Sequence, residues 1–157
     1  MQLTSAVFQQ GAEIPSYYTS DGEDVSPELS WKDAPGKTKS FALIMHDPDA
    51  PRPGGFTHWV VYNIPAETGR IEENVPREEQ VPGLGTQGKN DAGKIGYMGP
   101  APPSGTHRYF MRLFALNLLL DLAPGATHRQ VNAAMKGHIL AQAELMGTYE
   151  KKSHRAA

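Results

Sequence analysis

Apolar side chains are concentrated in three short runs, each bounded by residues that are typical of turns. The runs are Ser40–His46, Thr57–Ile64 and Arg108–Leu116. In Thr57–Ile64 neither of the two alternating sets of positions is simply polar, which is typical of an inner strand that is covered on both faces. The pattern therefore predicts three inner strands of a sheet.

A helical pattern is found only near the C-terminal end of the sequence. Thr127 and Gln130 have the spacing of a capping box, and apolar residues recur at helical spacing after them. Gly137 is expected to break or bend this helix, and Gly147 to end it. We therefore predict a mainly β protein with short helices close to its C-terminus.

The composition supports a β-rich fold. The chain of 157 residues contains 16 glycines and 13 prolines. Inside a helix each glycine costs about 1 kcal/mol and each proline about 3 kcal/mol, so a helical bundle is excluded. A disordered chain is excluded as well, because 39% of the residues are hydrophobic and the net charge is only −2. We expect residues 1–157 to form a single domain.

The charges and the missing residue types limit the partners. With 15 basic and 17 acidic side chains, the chain lacks the basic surface that binds nucleic acid. No apolar run approaches the length of a transmembrane helix. The chain has no cysteine, which excludes disulfides, thiolate zinc sites and a cysteine nucleophile and fits a cytoplasmic location.

The segment Gly83–Gly88 matches the pattern G-x-G-x-x-G of nucleotide-binding loops. That loop needs a strand before it and a helix after it, so that the helix N-terminus faces the phosphates. Neither flanking sequence fits this requirement. We therefore interpret the segment as a flexible surface loop.

The best candidates for a functional site stand where the predicted inner strands begin and end. His58 and His107 each begin a strand after a glycine-containing loop, Tyr109 follows, and Asp47 and Asp49 stand where another strand leaves the sheet. Three strand ends would then bring two imidazoles, two carboxylates and a phenol together. Such a group fits anion binding through ring N–H, hydroxyl and backbone donors.

Three other uses of these residues remain open on the sequence alone. A metal site is one, but no paired-histidine spacing supports it. A serine nucleophile is another, but Ser104 is not in the G-x-S-x-G context. General acid–base catalysis by a His–Asp pair is the third.

Several segments resemble the phosphatidylethanolamine-binding protein family, which includes the Raf kinase inhibitor proteins, and in particular its prokaryotic subgroup. The segments that carry the resemblance are Ser26–Trp31, Asp47–Pro51, His58–Asn63, Gly96–Tyr109 and Ala141–Tyr149. The resemblance implies an antiparallel β-sandwich with Greek-key connections and short C-terminal helices. It also implies an anion pocket at one end of the sandwich, in which Phe56 stands where animal members have a tryptophan.

The resemblance also implies a set of ligand-binding residues. These are Asp47, Asp49, Ala50, Pro51, His58, Gly99, Pro100, Pro102, Pro103, His107 and Tyr109. We expect a binding protein for phosphate or a phosphorylated headgroup such as phosphoethanolamine, without catalysis, metal or cofactor. The alternative is a hydrolase or isomerase that uses a His/Asp pair in the same pocket. A protein partner, either a kinase or a protease, is a further expectation, and a homodimer stays open.

Overall fold

The computed structural model describes residues 1–152, and most of its regular structure is β-strand. The strands are β1 (Gln2–Thr4), β2 (Leu29–Lys32), β3 (Ser40–Asp47), β4 (Phe56–Pro65), β5 (Arg70–Ile71), β6 (Gln80–Val81), β7 (Gly85–Gln87), β8 (Thr106–Leu116) and β9 (Ile139–Glu150). A helix, α1, spans His128–Met135, and a 3-10 turn spans Ser16–Tyr18. The mainly β fold class is confirmed.

The strands form two antiparallel sheets. The smaller sheet has the order β1-β2-β5 and the larger sheet the order β6-β7-β4-β3-β8-β9. The three strands predicted from the apolar runs, β4, β3 and β8, are neighbours in the larger sheet. They are inner strands as expected, and in β3 every side chain except His46 is buried.

Apolar residues cover both faces of the larger sheet, which explains its nearly continuous apolar strands. On the face toward the smaller sheet, Phe41, Leu43 and Trp59 pack with residues of β1 and β2. On the opposite face, Ile44 and Tyr62 belong to a second cluster that includes side chains of α1. The central strands are therefore held between two apolar layers.

The helix begins as the capping box predicts. The Thr127 hydroxyl accepts the N–H of Gln130, and the Gln130 side chain accepts the N–H of Thr127. The prediction that the helical pattern reaches Gly147 is wrong, because residues 139–150 form β9. In this strand the buried residues Ala143, Leu145, Gly147 and Tyr149 alternate with less buried ones, a period of two that outweighs the helical spacing of a few apolar residues.

The interpretation of Gly83–Gly88 as a flexible surface loop is also wrong. Its central part forms β7, which pairs with both β4 and β6. Gln87 is fully buried, accepts the indole N–H of Trp59 at 2.8 Å and donates to the carbonyl of Pro76 at 2.7 Å. The segment is thus a structural part of the sheet.

Within residues 1–152, no helix is both long enough and apolar enough to cross a membrane.

Candidate functional site

Three inner strands bring the candidate residues to one edge of the larger sheet. Asp47 is the last residue of β3, His58 lies near the start of β4, and His107 and Tyr109 lie near the start of β8. Because β3 runs antiparallel to both neighbours, its C-terminal end meets the N-terminal ends of β4 and β8. The sheet topology therefore gathers these four side chains.

A β-bulge orients His58. Along β4 the pairing with β3 shifts, since Thr57 lies opposite His46 whereas Trp59 lies opposite Met45. His58 is thus the extra residue, and a bulge of this kind changes the direction in which a strand's side chains point. As a result His58 and Trp59, although adjacent, lie on the same side of the sheet, with His58 at the cavity and Trp59 in the core.

These residues surround a cavity of about 190 Å³. The lining consists of Asp47, Ala50, Pro51, Arg52, Phe56, His58, Met98, Ala101, Pro102, Pro103, His107 and Tyr109. The volume is below the ~300–1,000 Å³ of pockets for drug-sized ligands, and most of the lining is apolar. Such a cavity fits a small group held by a few polar atoms.

The lining contains eight of the eleven residues expected from the sequence. Asp49, Gly99 and Pro100 lie outside it. The other four lining residues are Phe56, which the resemblance placed at the pocket, and Arg52, Met98 and Ala101, which were not among the expected residues. Arg52 follows Pro51 directly, and its position within a Pro-rich loop beside the cluster is the one sequence signal that points to it.

Asp49 serves to attach its loop to β8. The Asp49 carboxylate accepts the backbone N–H of Arg108 at 2.8 Å, and both of its oxygens accept guanidinium N–H groups of the same residue at 2.9 and 3.0 Å. The hydrogen bonds from Arg108 lower the pKa of Asp49 to about 2. This carboxylate therefore remains charged and paired.

Gly99 and Pro100 anchor their segment on residues 18–24. The N–H of Gly99 donates to Asp24 Oδ1 at 2.7 Å, and the carbonyl of Pro100 accepts the N–H of Ser20 at 3.0 Å. A Cβ atom on Gly99 would lie 2.4 Å from Asp24 Oδ1 and 2.5 Å from the Tyr18 carbonyl oxygen. Only glycine fits this position, and its N–H is not available to a ligand.

Asp47 pairs with His107 rather than with His58. Asp47 Oδ2 lies 2.6 Å from His107 Nδ1, and the other carboxylate oxygen accepts the N–H of Asp49 at 2.7 Å. Both side chains of the pair are buried. Because an ionised carboxylate only accepts hydrogen bonds, Nδ1 of His107 carries a proton, and Nε2 is the nitrogen left for a ligand.

His58 is oriented by the backbone. Its Nδ1 lies 2.6 Å from the carbonyl oxygen of Met98, and the Met98 N–H donates to the His58 carbonyl at 3.0 Å. A carbonyl also only accepts, so Nδ1 of His58 is protonated and Nε2 is again the free nitrogen. Burial lowers the pKa of His58, which favours the neutral ring.

Tyr109 has a buried hydroxyl with unused hydrogen-bonding capacity. The ring stands edge-on to His58 at 5.3 Å between centroids and is roughly stacked with His107 at 6.4 Å. Among residues 1–152, the hydroxyl makes no hydrogen bond of normal geometry, and the Asp47 carboxylate is an acceptor close enough to influence it. Burial, and then the negative charge of Asp47, raise the pKa of Tyr109, so that the phenol stays protonated.

Arg52 supplies a cation at the rim. Its guanidinium carbon lies 5.5 Å from the ring centroid of Phe56, which in turn packs against His58. At the rim, the guanidinium donors of Arg52 lie near the entrance of a cavity whose wall is otherwise mostly apolar.

A second histidine cluster lies beyond the cavity lining. The Thr57 hydroxyl lies 3.0 Å from His46 Nδ1 and 2.7 Å from His128 Nδ1. It thereby links the end of β3 to the first turn of α1. In the sequence, His46 and His128 give no sign of this contact.

In the described part of the chain, no three side chains of His, Cys, Asp or Glu come together as a metal site. The cavity offers imidazole nitrogens and a guanidinium, with the Tyr109 hydroxyl buried in its wall, and these are groups that recognise oxyanions in proteins. A buried carboxylate that orients a histidine is also found beside general bases, so acid–base chemistry is a second possible use.

Comparison with known proteins relates the chain to a family. A model of the family described as phosphatidylethanolamine-binding protein matches residues 4–150. A UPF0098 protein of Methanothermobacter thermautotrophicus is 52% identical over 151 residues, covering 96% of this chain and 99% of that protein. A UPF0098 protein of Aquifex aeolicus is 51% identical over 154 residues, covering 96% of this chain and 89% of that protein.

Two solved structures share the fold. One is a Chlamydia trachomatis protein described as a phosphatidylethanolamine-binding protein homologue, with 42% identity, a TM-score of 0.88 and coverage of 96% of this chain and 97% of that chain. The other is Escherichia coli YbcL, described as a new member of the mammalian family, with 32% identity, a TM-score of 0.88 and coverage of 96% and 98%.

Proposed function

The chain belongs to the phosphatidylethanolamine-binding protein family, and we propose that its cavity binds a small phosphorylated anion. The observation that carries the proposal is the pair of imidazoles of His58 and His107. Each has its Nδ1 fixed by an acceptor, so that each has Nε2 left for a ligand in one small cavity.

The proposed ligand contacts follow from the donors. His107 in its imidazolium form would donate from Nε2 and lie against the Asp47 carboxylate. Arg52 at the rim attracts the anion and contributes guanidinium donors. Tyr109 is a further donor, which contributes when the bound ligand makes room at its buried hydroxyl. The apolar lining excludes water and thereby strengthens these contacts.

Calorimetric titration with inorganic phosphate tests the proposal. A hydrogen bond to a charged group contributes about 1.5–3 kcal/mol, so His107→Ala is expected to weaken binding at least about tenfold. His138→Ala is the matched control, because His138 precedes β9 at the opposite end of the sheet. Binding that is absent in the wild type, or unchanged in His107→Ala, would refute the proposal.

His107→Ala leaves a buried carboxylate without its partner and can unfold the protein. Arg52→Ala avoids this difficulty, since Arg52 is exposed. We expect it to weaken phosphate binding severalfold, mostly at low salt, whereas Arg129→Ala on the exposed part of α1 should have no effect.

One observation favours a second function, a hydrolase or isomerase. The buried Asp47–His107 pair, at 2.6 Å, has the arrangement of a carboxylate that orients a general base. Among the described lining residues, however, there is no serine, threonine or cysteine to serve as a nucleophile. Turnover of phosphate or carboxyl esters that is lost in both Asp47→Asn and His107→Gln would favour the enzyme. A protein partner and the cytoplasmic location stay predictions from the sequence.

A further inference from the structure

The hydrogen bonds of His58 decide what its free nitrogen offers to a ligand. The Met98 carbonyl, 2.6 Å from Nδ1, can only accept, so the ring proton resides on Nδ1. In the neutral ring, Nε2 is therefore a hydrogen-bond acceptor and not a donor. An anion that enters the cavity meets a lone pair at this position.

The surroundings of His58 favour the neutral ring. Burial is the largest influence and lowers its pKa. The charged and titratable groups around the ring are Asp47 from β3, His46 from the same strand, His107 and Tyr109 from β8, Asp24 from the segment that holds Gly99, and Arg52 at the rim. We therefore expect the ring to present the lone pair of Nε2 as a hydrogen-bond acceptor.

A carboxylate next to this acceptor narrows the choice of anion further. Asp47 is buried and faces the cavity together with His58. An anion whose oxygens are all acceptors would place a negative oxygen against the Nε2 lone pair and near the Asp47 charge, and both contacts are repulsive. A phosphate diester and sulfate are anions of this kind. A singly protonated phosphate monoester differs from both, because it has one P–OH group that can donate to Nε2. Its charge of −1 equals that of a diester and is smaller than the −2 charge of sulfate.

We infer that the cavity selects a singly protonated phosphate monoester over a phosphate diester or sulfate, with its P–OH group donating to Nε2 of His58. The inference rests on the proposed function, since it names the ligand class of that same cavity. The inferred ligand class does not include phosphatidylethanolamine itself, because the phosphate of its headgroup is a diester.

The expected selectivity is large enough to measure. A site that hydrogen-bonds a ligand hydroxyl rejects analogues without that hydroxyl by up to about 10⁴-fold when the site is fully enclosed. This cavity is open at its rim, so we expect a ratio of at least about tenfold.

The test is calorimetric titration of the full chain with four probes: O-phosphoethanolamine, glycerophosphoethanolamine, inorganic phosphate and sulfate. The first two probes share the ethanolamine group, but O-phosphoethanolamine is a phosphate monoester and glycerophosphoethanolamine is a diester. At about pH 6, near the second pKa of a phosphate monoester, O-phosphoethanolamine should bind at least about tenfold more tightly than glycerophosphoethanolamine, and phosphate more tightly than sulfate. At about pH 8 the monoester is mostly doubly charged, so this ratio should fall.

The ratio of the two affinities removes the effect of any titrating group of the protein that acts on both ligands alike. Equal affinities for monoester and diester at about pH 6 would overturn the inference and leave the proposed function standing. Failure of all four probes to bind would overturn both. A ratio that does not change with pH would overturn the role assigned to the ligand's proton.

A variant tests the residue itself. His58→Phe retains a flat ring but removes the acceptor, so the monoester should lose its advantage and the ratio should approach one. His138→Phe, at the opposite end of the sheet, should keep the ratio of the wild type. If His58→Phe does not fold, the pH dependence of the wild-type ratio still decides the inference.

Discussion

The buried hydroxyl of Tyr109 gives a prediction in which stability and binding change in opposite directions. Tyr109 is fully buried, and in the described part of the chain its hydroxyl makes no hydrogen bond of normal geometry. The nearby Asp47 carboxylate interacts with it weakly, because its two oxygens already accept from His107 and from the Asp49 N–H. A buried polar group without a partner costs about 1–3 kcal/mol. Tyr109→Phe removes the hydroxyl and leaves the ring, so the free energy of unfolding of the ligand-free protein should rise by about 1 kcal/mol. In a domain of this size that change raises Tm by about 2–4 °C.

Tyr62→Phe is the matched control. Tyr62 is equally buried, but its hydroxyl donates to the carbonyl of Ala123 at 2.6 Å and accepts the N–H of Ala126 at 3.2 Å. Removing this hydroxyl should lower the free energy of unfolding by about 1–2 kcal/mol, because two buried partners lose their hydrogen bonds.

Urea unfolding of the two variants and the wild type, without ligand, measures both effects. Phosphate titration of Tyr109→Phe should then show an affinity about tenfold lower, because one donor to the anion is lost. A loss of stability in Tyr109→Phe similar to that in Tyr62→Phe would refute the reasoning about the unpaired hydroxyl. Unchanged phosphate affinity would refute its role as a donor.

Three further predictions concern the support of the site. Gly99→Ala should destabilise the protein by about 1–3 kcal/mol in urea unfolding and weaken phosphate binding, because the added carbon displaces the segment that orients His58. Gly36→Ala is the control and should have neither effect, because a Cβ at Gly36 meets only open space. Thr57→Val should cost about 1–2 kcal/mol in the same assay, because two histidines lose their shared hydroxyl, and an unchanged midpoint would contradict that contact. Burial lowers the pKa of His58 and His128, so the unfolded chain takes up protons more readily than the folded one. The Tm of the ligand-free protein should therefore fall as the pH drops below about 6.5, and a Tm that rises on acidification would contradict these directions.

The central strands could be predicted from the sequence because their information is local. The apolar runs of β3, β4 and β8 are long, lie between turn residues, and correspond to strands buried on both faces. Since the candidate side chains stand at the ends of these strands, their placement at one edge could be predicted as well. The C-terminal strand β9 was missed because apolar residues at helical spacing lead directly up to it, and only residues 136–138 separate α1 from β9.

The internal geometry of the site depends on pairing between strands, which a single strand's pattern does not contain. The bulge at His58 is a property of the register between β3 and β4. Because it interrupts the alternation of the two faces, the order of apolar and polar residues along β4 alone does not show which way His58 points. The choice of His107 as partner of Asp47, and of Arg108 as partner of Asp49, likewise depends on which strand lies beside β3. These contacts could not be derived from spacing in the sequence.

The central claim is that a phosphoryl group binds at the free ring nitrogens of His58 and His107. The most direct measurement is NMR of the ¹⁵N-labelled histidine side chains during titration with O-phosphoethanolamine at about pH 6, where singly protonated monoester is present. We predict that the Nε2 signals of His58 and His107 shift together with saturation, while those of His46, His128 and His138 stay in place. Saturable binding without shifts at His58 and His107, or with shifts at the other histidines alone, would contradict the account.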